Sequence, residues 1–269
     1  MIVQDIKQTL RNLYVYRGFI AGTVKREFQL RYHGALLGVL WTILQPLTMI
    51  LVYTVIFSQL MRARLPGIDS TYAYGIFVCA GVLTWNLFTD IVIRSTNLFI
   101  DNANLIKKSN FPKSCLPAIS LCSALLNFLI ILALFFGFLL ITHNFPGIVV
   151  LGMIPLLILE ITFAVSLGLF LGTLNVFFRD AGQFNSVLLQ LWLWATPVIY
   201  PLSVIPAKVQ TIILLNPLTA IALGFQRIFI NQAWPRWDSF AYTITATVCM
   251  LMISVSFFTK RSPEIVDEL

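Results

Sequence analysis

The feature that most constrains this chain is a run of 46 residues, 114–159, that contains no Asp, Glu, Lys or Arg. An α-helix needs about 20 apolar residues to cross the hydrocarbon core of a bilayer, so this run is long enough for two crossings. The chain of 269 residues is 58% hydrophobic and 11% charged, with a mean hydropathy of +0.87. A soluble domain of this size cannot hide so much apolar surface. We therefore expect a multi-pass membrane protein.

Charged residues and turn sequences divide the chain into six predicted membrane spans. The sequence His-Asn-Phe-Pro-Gly at residues 143–147 splits the uncharged run. The pair Arg179–Asp180 separates the fourth span from the fifth. The predicted spans are residues 35–60, 72–94, 116–141, 148–178, 184–200 and 239–259. The expected fold is an all-α membrane protein whose six transmembrane helices form one domain, residues 35–259.

The segment between the last two spans, residues 201–238, is too apolar for an ordinary loop. Pro206 and Asn216-Pro217 divide it into pieces of about ten and fifteen residues, and pieces of that length are too short to span a bilayer. Proline is favoured in the first turn of a helix. Residues 202–237 are therefore predicted to form two short re-entrant or surface helices.

The first 34 residues predict an amphipathic helix on the membrane surface. Basic side chains among the apolar ones suit anionic lipid headgroups, and no secretory signal peptide is expected. The apolar positions at helical spacing are Ile6, Leu10, Leu13, Ile20, Val24 and Phe28.

The distribution of Lys and Arg predicts that both termini, including the tail at residues 260–269, are cytoplasmic. With that orientation thirteen basic residues lie inside and five outside, in agreement with the positive-inside rule. The net charge of +7 is therefore assigned to the cytoplasmic face and not to nucleic-acid binding.

The sequence contains no phosphate-binding loop, no catalytic motif and no His or Cys at metal-ligand spacing. We expect no enzyme activity, cofactor or metal in this chain. The one acidic residue deep in a predicted span is Glu160. It is either a gating residue or a neutral acid bonded to a neighbouring helix, because a charge at mid-bilayer is costly.

Because the chain has no energy-supplying site of its own, we expect a partner protein to supply the energy. A cytoplasmic segment after the second predicted span could bind that partner. Residues 96–109 predict a short amphipathic helix that could dock in a groove of that partner. The alternative is a helix that rests on the lipid surface. The candidate coupling residues are Phe99, Asp101, Ala103, Ile106, Lys107 and Lys108.

Several sequence motifs resemble a known family. The residues Leu37-Gly38-Val39-Leu40-Trp41, Thr196-Pro197 and Asn216-Pro217, and above all LGTLNVFFRD at residues 171–180, are similar to those of bacterial polysaccharide-export permeases. These are the membrane subunits of type-two ABC exporters for O-antigen, capsule or teichoic-acid chains. The resemblance covers essentially the whole chain.

The resemblance implies a homodimer in the inner membrane, joined by two copies of a cytoplasmic ATPase that binds ATP and Mg. The expected cargo is a lipid-linked polysaccharide, with O-antigen as the first candidate. Residues 96–109 then resemble the coupling helix, residues 1–34 the interface helix, and residues 202–237 the periplasmic gate helices. The residues expected near the cytoplasmic entrance are Arg26, Glu27, Arg31, Arg179 and Asp180.

Aromatic residues in the spans fit a glycan cargo, because sugar C–H faces pack on aromatic rings. The alternative is an ordinary interfacial belt of Trp and Tyr. The candidate channel aromatics are Trp41, Tyr53, Phe57, Trp85, Phe88, Trp192, Trp194 and Tyr200. The spacing Gly168-x-x-x-Gly172 predicts close helix packing, within one subunit or at a dimer seam.

Three other functions stay open at the level of sequence. One is a related ABC exporter for a small lipid or drug. Another is a membrane-bound enzyme of the lipid-glycan pathway, for which Asp90 and Asp101 are poor catalytic candidates. The third is a non-catalytic assembly scaffold.

Overall fold

The computed structural model describes residue 11 and residues 14–31, 37–56, 72–103, 106 and 115–268, and every regular element within those ranges is helical. Short 3-10 turns at Gly147–Gly152 and Trp237–Phe240 lead into the fifth and ninth helices. The α-helices of eight or more residues are α1 (Arg17–Arg31), α2 (Trp41–Val55), α3 (Ala73–Asp101), α4 (Cys115–Ile141), α5 (Met153–Phe177), α6 (Asp180–Trp194), α7 (Ala207–Leu214), α8 (Pro217–Asn231) and α9 (Ala241–Arg261), and a single turn, Ile265–Glu268, follows α9.

Four of these helices are long and apolar enough to cross a membrane. Helices α3 and α4 have 29 and 27 residues. Helices α5 and α9, each counted together with the 3-10 turn that precedes it, have 31 and 25 residues. The broken pair α7 and α8, bent by 101°, could supply a fifth crossing. The number of candidate spans in the described part of the chain is therefore four or five, and six spans stay a prediction.

The two remaining predicted spans are represented by shorter helices. Helix α2 has 15 residues, and residues 35–36 and 57–60 of the predicted first span lie outside the described part of the chain. Helix α6 also has 15 residues and ends at Trp194, six residues before the predicted end of the fifth span. It ends there because Pro197, which has no N–H group, lies in the turn that follows. At 1.5 Å per residue, each helix covers only about 22 Å.

Helix α3 lies at the centre of the fold, and most of its side chains are buried. It packs against α5, α8 and α4. At Gly168 and Gly172 of α5, an added Cβ would overlap atoms of Ser95 on α3. The small-residue spacing thus allows two helices of the same chain to approach closely. This is the predicted alternative of packing within one subunit.

The second predicted span continues further than the sequence indicated. Helix α3 extends without a break to Asp101, so residues 96–101 belong to the long helix and not to a separate amphipathic one. The sequence predicts that the span ends near Arg94, because charged residues usually end a span. Arg94 is instead neutralised by carboxylates inside the fold, and the helix continues.

A hydrophobic cluster joins α1 to one end of the bundle. Ile20 and Val24 of α1 are each 8% exposed and pack beside Phe99, Ile106 and Ile265. We call this group the terminal cluster. Among the predicted apolar positions of the N-terminal helix, Ile6, Leu10 and Leu13 lie outside the described residues. Of the described positions, Ile20 and Val24 are buried against the chain's own helices, and Phe28 is half-buried.

The break between α7 and α8 occurs where the sequence predicts it. Asn216 accepts a hydrogen bond from the backbone N–H of Leu218 at 3.0 Å, and Pro217 occupies the first helical position. This is an N-cap followed by a proline that needs no donor. The two pieces contain 8 and 15 residues, and Pro206 precedes the first of them.

Candidate functional site

A cavity of about 390 Å³ lies between α2, α3 and α4. It reaches from Cys79 to Ile93 along α3, which is about 21 Å of helix at 1.5 Å per residue. We call it the central cavity. Tyr53 contributes an aromatic ring to its wall, and the other side chains that matter for its chemistry are polar: Gln45, Asn86, Thr89, Asp90 and Asn127.

Two of the three side-chain amides in the wall of the central cavity have no hydrogen-bond partner in the described part of the chain. Gln45 and Asn86 are both exposed, and no residue in the described ranges forms a hydrogen bond with either side-chain amide. Thr89 donates to the carbonyl oxygen of Trp85 at 2.9 Å. Polar side chains within spans normally face protein or a water-filled cavity. Their convergence here indicates a hydrated cavity.

An ion-pair network begins at Asp90 and Asn127 in the wall of the central cavity. Arg94 pairs with Glu27 of α1, and its Nε donates to Asp90 Oδ1 at 2.6 Å. Ser123 Oγ donates to Glu27 Oε2 at 2.6 Å, and Asn127 Nδ2 reaches Asp90 Oδ2 at 3.5 Å. The network joins α1, α3 and α4 by charge-assisted hydrogen bonds.

Sequence reasoning found only parts of this network. Glu27 was predicted near the entrance, and Asp90 and Arg94 are four residues apart on one helix face, a favourable spacing. The partner that completes the network, Glu27, lies 67 residues from Arg94 along the chain. No local pattern indicates that pairing.

The candidate channel aromatics separate into different environments. Phe88 is fully buried and packs against Trp85, Phe163 and Trp192 with ring centroids 5.6–6.0 Å apart. Trp85, at 9% exposed, belongs to the same cluster. These two rings therefore fill space between helices in this structure and do not line an open path.

Of the other predicted aromatics, Tyr53 lines the central cavity. Trp41 and Trp194 are 45% and 66% exposed on the outside of the chain. Tyr200 is half-buried and donates from its hydroxyl to the carbonyl oxygen of Trp194 at 2.6 Å. Phe57 lies outside the described residues.

A polar corner holds the break in α7–α8 against the end of α6. Trp192 Nε1 donates to Asn216 Oδ1 at 3.0 Å, and Asn216 Nδ2 donates to Thr196 Oγ1 at 2.9 Å. Gln226 Nε2 donates to the carbonyl oxygen of Pro197 at 2.9 Å. These bonds tie both family-like dipeptides, Thr196-Pro197 and Asn216-Pro217, into one structure.

The turn between α5 and α6 is also held by side-chain hydrogen bonds. Asn175, within the LGTLNVFFRD motif, donates to the carbonyl oxygen of Thr96 at 3.1 Å and accepts from the N–H of Gly182 at 2.9 Å. Arg179 and Asp180 remain exposed. The motif thus fixes the turn to α3 and leaves its charged residues on the surface.

The predicted coupling residues do not form one exposed face. Phe99 and Ile106 are 1% and 8% exposed in the terminal cluster, whereas Asp101 is exposed and Ala103 half-buried. Lys107 and Lys108 lie outside the described residues. The apolar pair that we expected to dock in a partner is thus covered by this chain, and the coupling role stays a prediction.

The remaining predicted entrance residues lie on α1. Arg26 is exposed, and Arg31 ends the helix, with its side chain outside the described part of the structure. Glu160 on α5 is fully buried. Neither of its carboxylate oxygens has a hydrogen-bond partner among the described residues, so the predicted bond to a neighbouring helix is not seen there.

Comparison with known proteins identifies the family. Residues 20–230 match the membrane domain of the ABC-2 type transporters. An O-antigen export system permease protein RfbA of Myxococcus xanthus is 31% identical over 97% of this chain and 98% of its own length. An RfbA of Klebsiella pneumoniae is 29% identical over 87% and 88%.

A third, more distant relative is a polysialic acid transport protein, KpsM of Escherichia coli. It is 26% identical over 88% of this chain and 90% of its own length. The family match and the full-length similarity to the RfbA protein of M. xanthus together show that the chain belongs to the ABC-2 type transporter membrane family.

Proposed function

We propose that this chain is the membrane-channel subunit of an ATP-driven exporter that moves a lipid-linked polysaccharide, with O-antigen as the first candidate, across a bacterial inner membrane. The relatives named as O-antigen and polysialic acid transport proteins support this assignment. In the proposed assembly two copies of the chain pair with two copies of a cytoplasmic ATPase subunit, which binds ATP and Mg.

The observation that carries the proposal is the polar lining of the central cavity. Sugar hydroxyls both donate and accept hydrogen bonds, and amide side chains such as Gln45 and Asn86 do the same. The ring of Tyr53 can pack against the C–H face of a sugar. The sugar hydroxyls can therefore replace their hydrogen bonds to water with hydrogen bonds to the cavity wall at little cost in free energy.

The length of the cavity suits a polymer better than a compact solute. Its wall follows about 21 Å of α3, against a hydrocarbon core of roughly 30 Å. Several weak contacts in series would support sliding, because no single position holds the chain tightly. In the proposed assembly, a second copy of this chain completes the path.

The long helix α3 supports a route for energy transfer. It runs unbroken from Ala73 to Asp101 and carries Asn86 and Asp90 in its middle. If the ATPase moved the Asp101 end of α3, the wall of the central cavity would move with it, because a helix moves as a rigid unit. The ion pair between Arg94 and Glu27 would carry the same movement to α1.

The proposed topology has six spans, in which α2 and α6, each about 22 Å long, cross where the bilayer is locally thin. Helix α1 is the proposed interface helix, and the terminal cluster lies on the cytoplasmic side. The bent pair α7–α8 is then the proposed periplasmic gate. This arrangement agrees with the positive-inside count.

A complementation experiment tests the function. The chain and its ATPase are expressed in a strain that makes the polymer but lacks its own permease, and polymer is measured at the surface and in the cytoplasm. We expect surface polymer with the wild type. Replacing Gln45 and Asn86 together by Leu should cause cytoplasmic accumulation at unchanged membrane levels.

The matched control is Thr245→Val, which removes a polar group from an exposed position on α9 outside the central cavity. It should export like the wild type. Normal export by the Gln45 and Asn86 double Leu variant would show that the central cavity is not part of the export pathway. A change in drug sensitivity alone would favour an exporter of small molecules, and substrate turnover by the purified chain would favour an enzyme.

A further inference from the structure

A second cavity, of about 380 Å³, lies at the end of the helix bundle opposite the terminal cluster. It is bounded by α8, the turn Trp237–Phe240 and the start of α9. Helix α9 runs for 21 residues from this cavity towards Ile265 in the terminal cluster, a distance of about 30 Å. We call this second space the distal cavity.

Two arginines contribute to the wall of the distal cavity. Arg227 Nε donates to the carbonyl oxygen of Trp234 at 2.9 Å, which orients the guanidinium group. Its two terminal nitrogens have no hydrogen-bond partner within the described ranges. Arg236 lies 3.6 Å from Asp238, and both side chains are largely exposed. The three charged residues give the cavity a formal charge of +1.

The rest of the wall is largely apolar. Leu214, Leu223 and Phe240 line it, and the neutral polar residues of the wall are Ser239, Tyr242 and Thr243. The distal cavity thus combines guanidinium groups with a hydrocarbon surface. The central cavity has the opposite chemistry, since its charged wall residue is the carboxylate of Asp90 and its other polar groups are neutral.

The basic residues here are unusual for their location. Only five of the 18 Lys and Arg residues fall in the segments assigned to the outer side, and two of those five line this one cavity. Guanidinium groups bind phosphate oxygens through paired N–H donors, and an apolar wall can take the chain attached to that phosphate.

We propose that the distal cavity binds a lipid through its phosphate group, held by Arg227 and Arg236, with its first methylene groups against Leu223 and Phe240. The phosphate could belong to a membrane phospholipid or to a polyprenyl carrier of the cargo. Binding of a phospholipid goes beyond the proposed function, whereas binding of a polyprenyl carrier rests on it.

Binding of labelled lipids to the purified full-length chain tests the site. The probes are phosphatidylglycerol, a polyprenyl diphosphate, and diacylglycerol, which carries acyl chains but no phosphate. The variant is Arg227→Gln combined with Arg236→Gln. Arg236→Gln alone guards against misfolding, because that side chain is 67% exposed. Lys208→Gln is the matched control, since Lys208 is exposed on α7 and does not line the cavity.

We expect the double variant to bind at least one phosphate probe about tenfold more weakly or worse, because charged hydrogen bonds are lost. Diacylglycerol binding and the Lys208→Gln variant should be unchanged, and Arg236→Gln should give an intermediate loss. A larger loss for the polyprenyl diphosphate assigns the site to a cargo carrier, and a larger loss for phosphatidylglycerol assigns it to a membrane lipid.

Equal affinity of the wild type for diacylglycerol and both phosphate probes would overturn the proposal, as would unchanged phosphate binding by the double variant. Either result leaves the proposed function intact, because export is measured separately with the central-cavity variants.

Discussion

The substitution Gly81→Ala tests how tightly α3 is packed against the polar corner. A Cβ at position 81 would lie 2.6 Å from the carbonyl oxygen of Val198 and 3.0 Å from Nε2 of Gln226. An ordinary contact begins at 3.4 Å, so the corner must move by about 0.8 Å or more. The amide that is displaced holds the carbonyl oxygen of Pro197, and its hydrogen bond must lengthen or break.

The expected cost follows from general values for overpacking. Forcing a methyl group into a well-packed interior costs about 1–3 kcal/mol. The matched control is Gly137→Ala on α4, where an added Cβ meets nothing within 4 Å. That change should stabilise the helix by up to about 1 kcal/mol, since Ala is the better helix former.

Thermal unfolding of the two purified variants measures this difference. At roughly 2–4 °C per kcal/mol for a chain near this size, Gly81→Ala should melt at least about 2 °C below the wild type. Gly137→Ala should melt at or above it. If Gly81→Ala is as stable as Gly137→Ala, the close approach of α3 and the polar corner does not exist as described.

Three further changes test other parts of the structure. Phe99→Ala should lower the free energy of unfolding by about 3–5 kcal/mol, as expected for a buried ring, in the same melting assay; a loss of ATPase binding without destabilisation would contradict its burial. Arg94→Gln leaves two carboxylates without their cation and should cost about 1–2 kcal/mol, reduced by the partial exposure of Glu27. Arg94→Lys should recover part of that loss, and equal melting of all three proteins would contradict the network. Alanine at Asp101, Lys107 and Lys108 should weaken copurification of the ATPase at an unchanged melting temperature, and full copurification would remove the coupling role.

The parts of the fold that could be predicted from sequence depend on local chemistry. Apolar length indicates α4 and α5, because a helix in lipid must satisfy its own backbone and cover its surface with apolar side chains. The break at Asn216-Pro217 is similarly local, since a capping amide and a proline without a donor define a helix start wherever they occur. No distant contact is needed for either.

Features that depend on distant contacts could not be predicted. Arg94 looked like the end of a span because its partner Glu27 is far away in sequence. Trp85 and Phe88 share a helix face, as their spacing indicates, and their rings lie 5.7 Å apart. Spacing alone does not say whether that face meets an open channel or another helix, and in this fold Phe163 covers it.

The burial of Phe99 illustrates the same difficulty at the terminal cluster. Helical spacing predicted an apolar face, and the face exists. Its partner was expected to be another protein, whereas α1 and the C-terminal Ile265 of this chain cover it. A pattern of apolar residues thus predicts that a face is covered, and the tertiary fold decides what covers it.

The most direct test of the account is transport by purified components. The chain and its ATPase are reconstituted into vesicles, lipid-linked polymer is supplied on the ATPase side, and the polymer protected inside the vesicles is measured. We predict protection that requires both ATP and the ATPase subunit. Equal protection by the chain alone, driven by an ion gradient, would contradict a conduit powered by its partner.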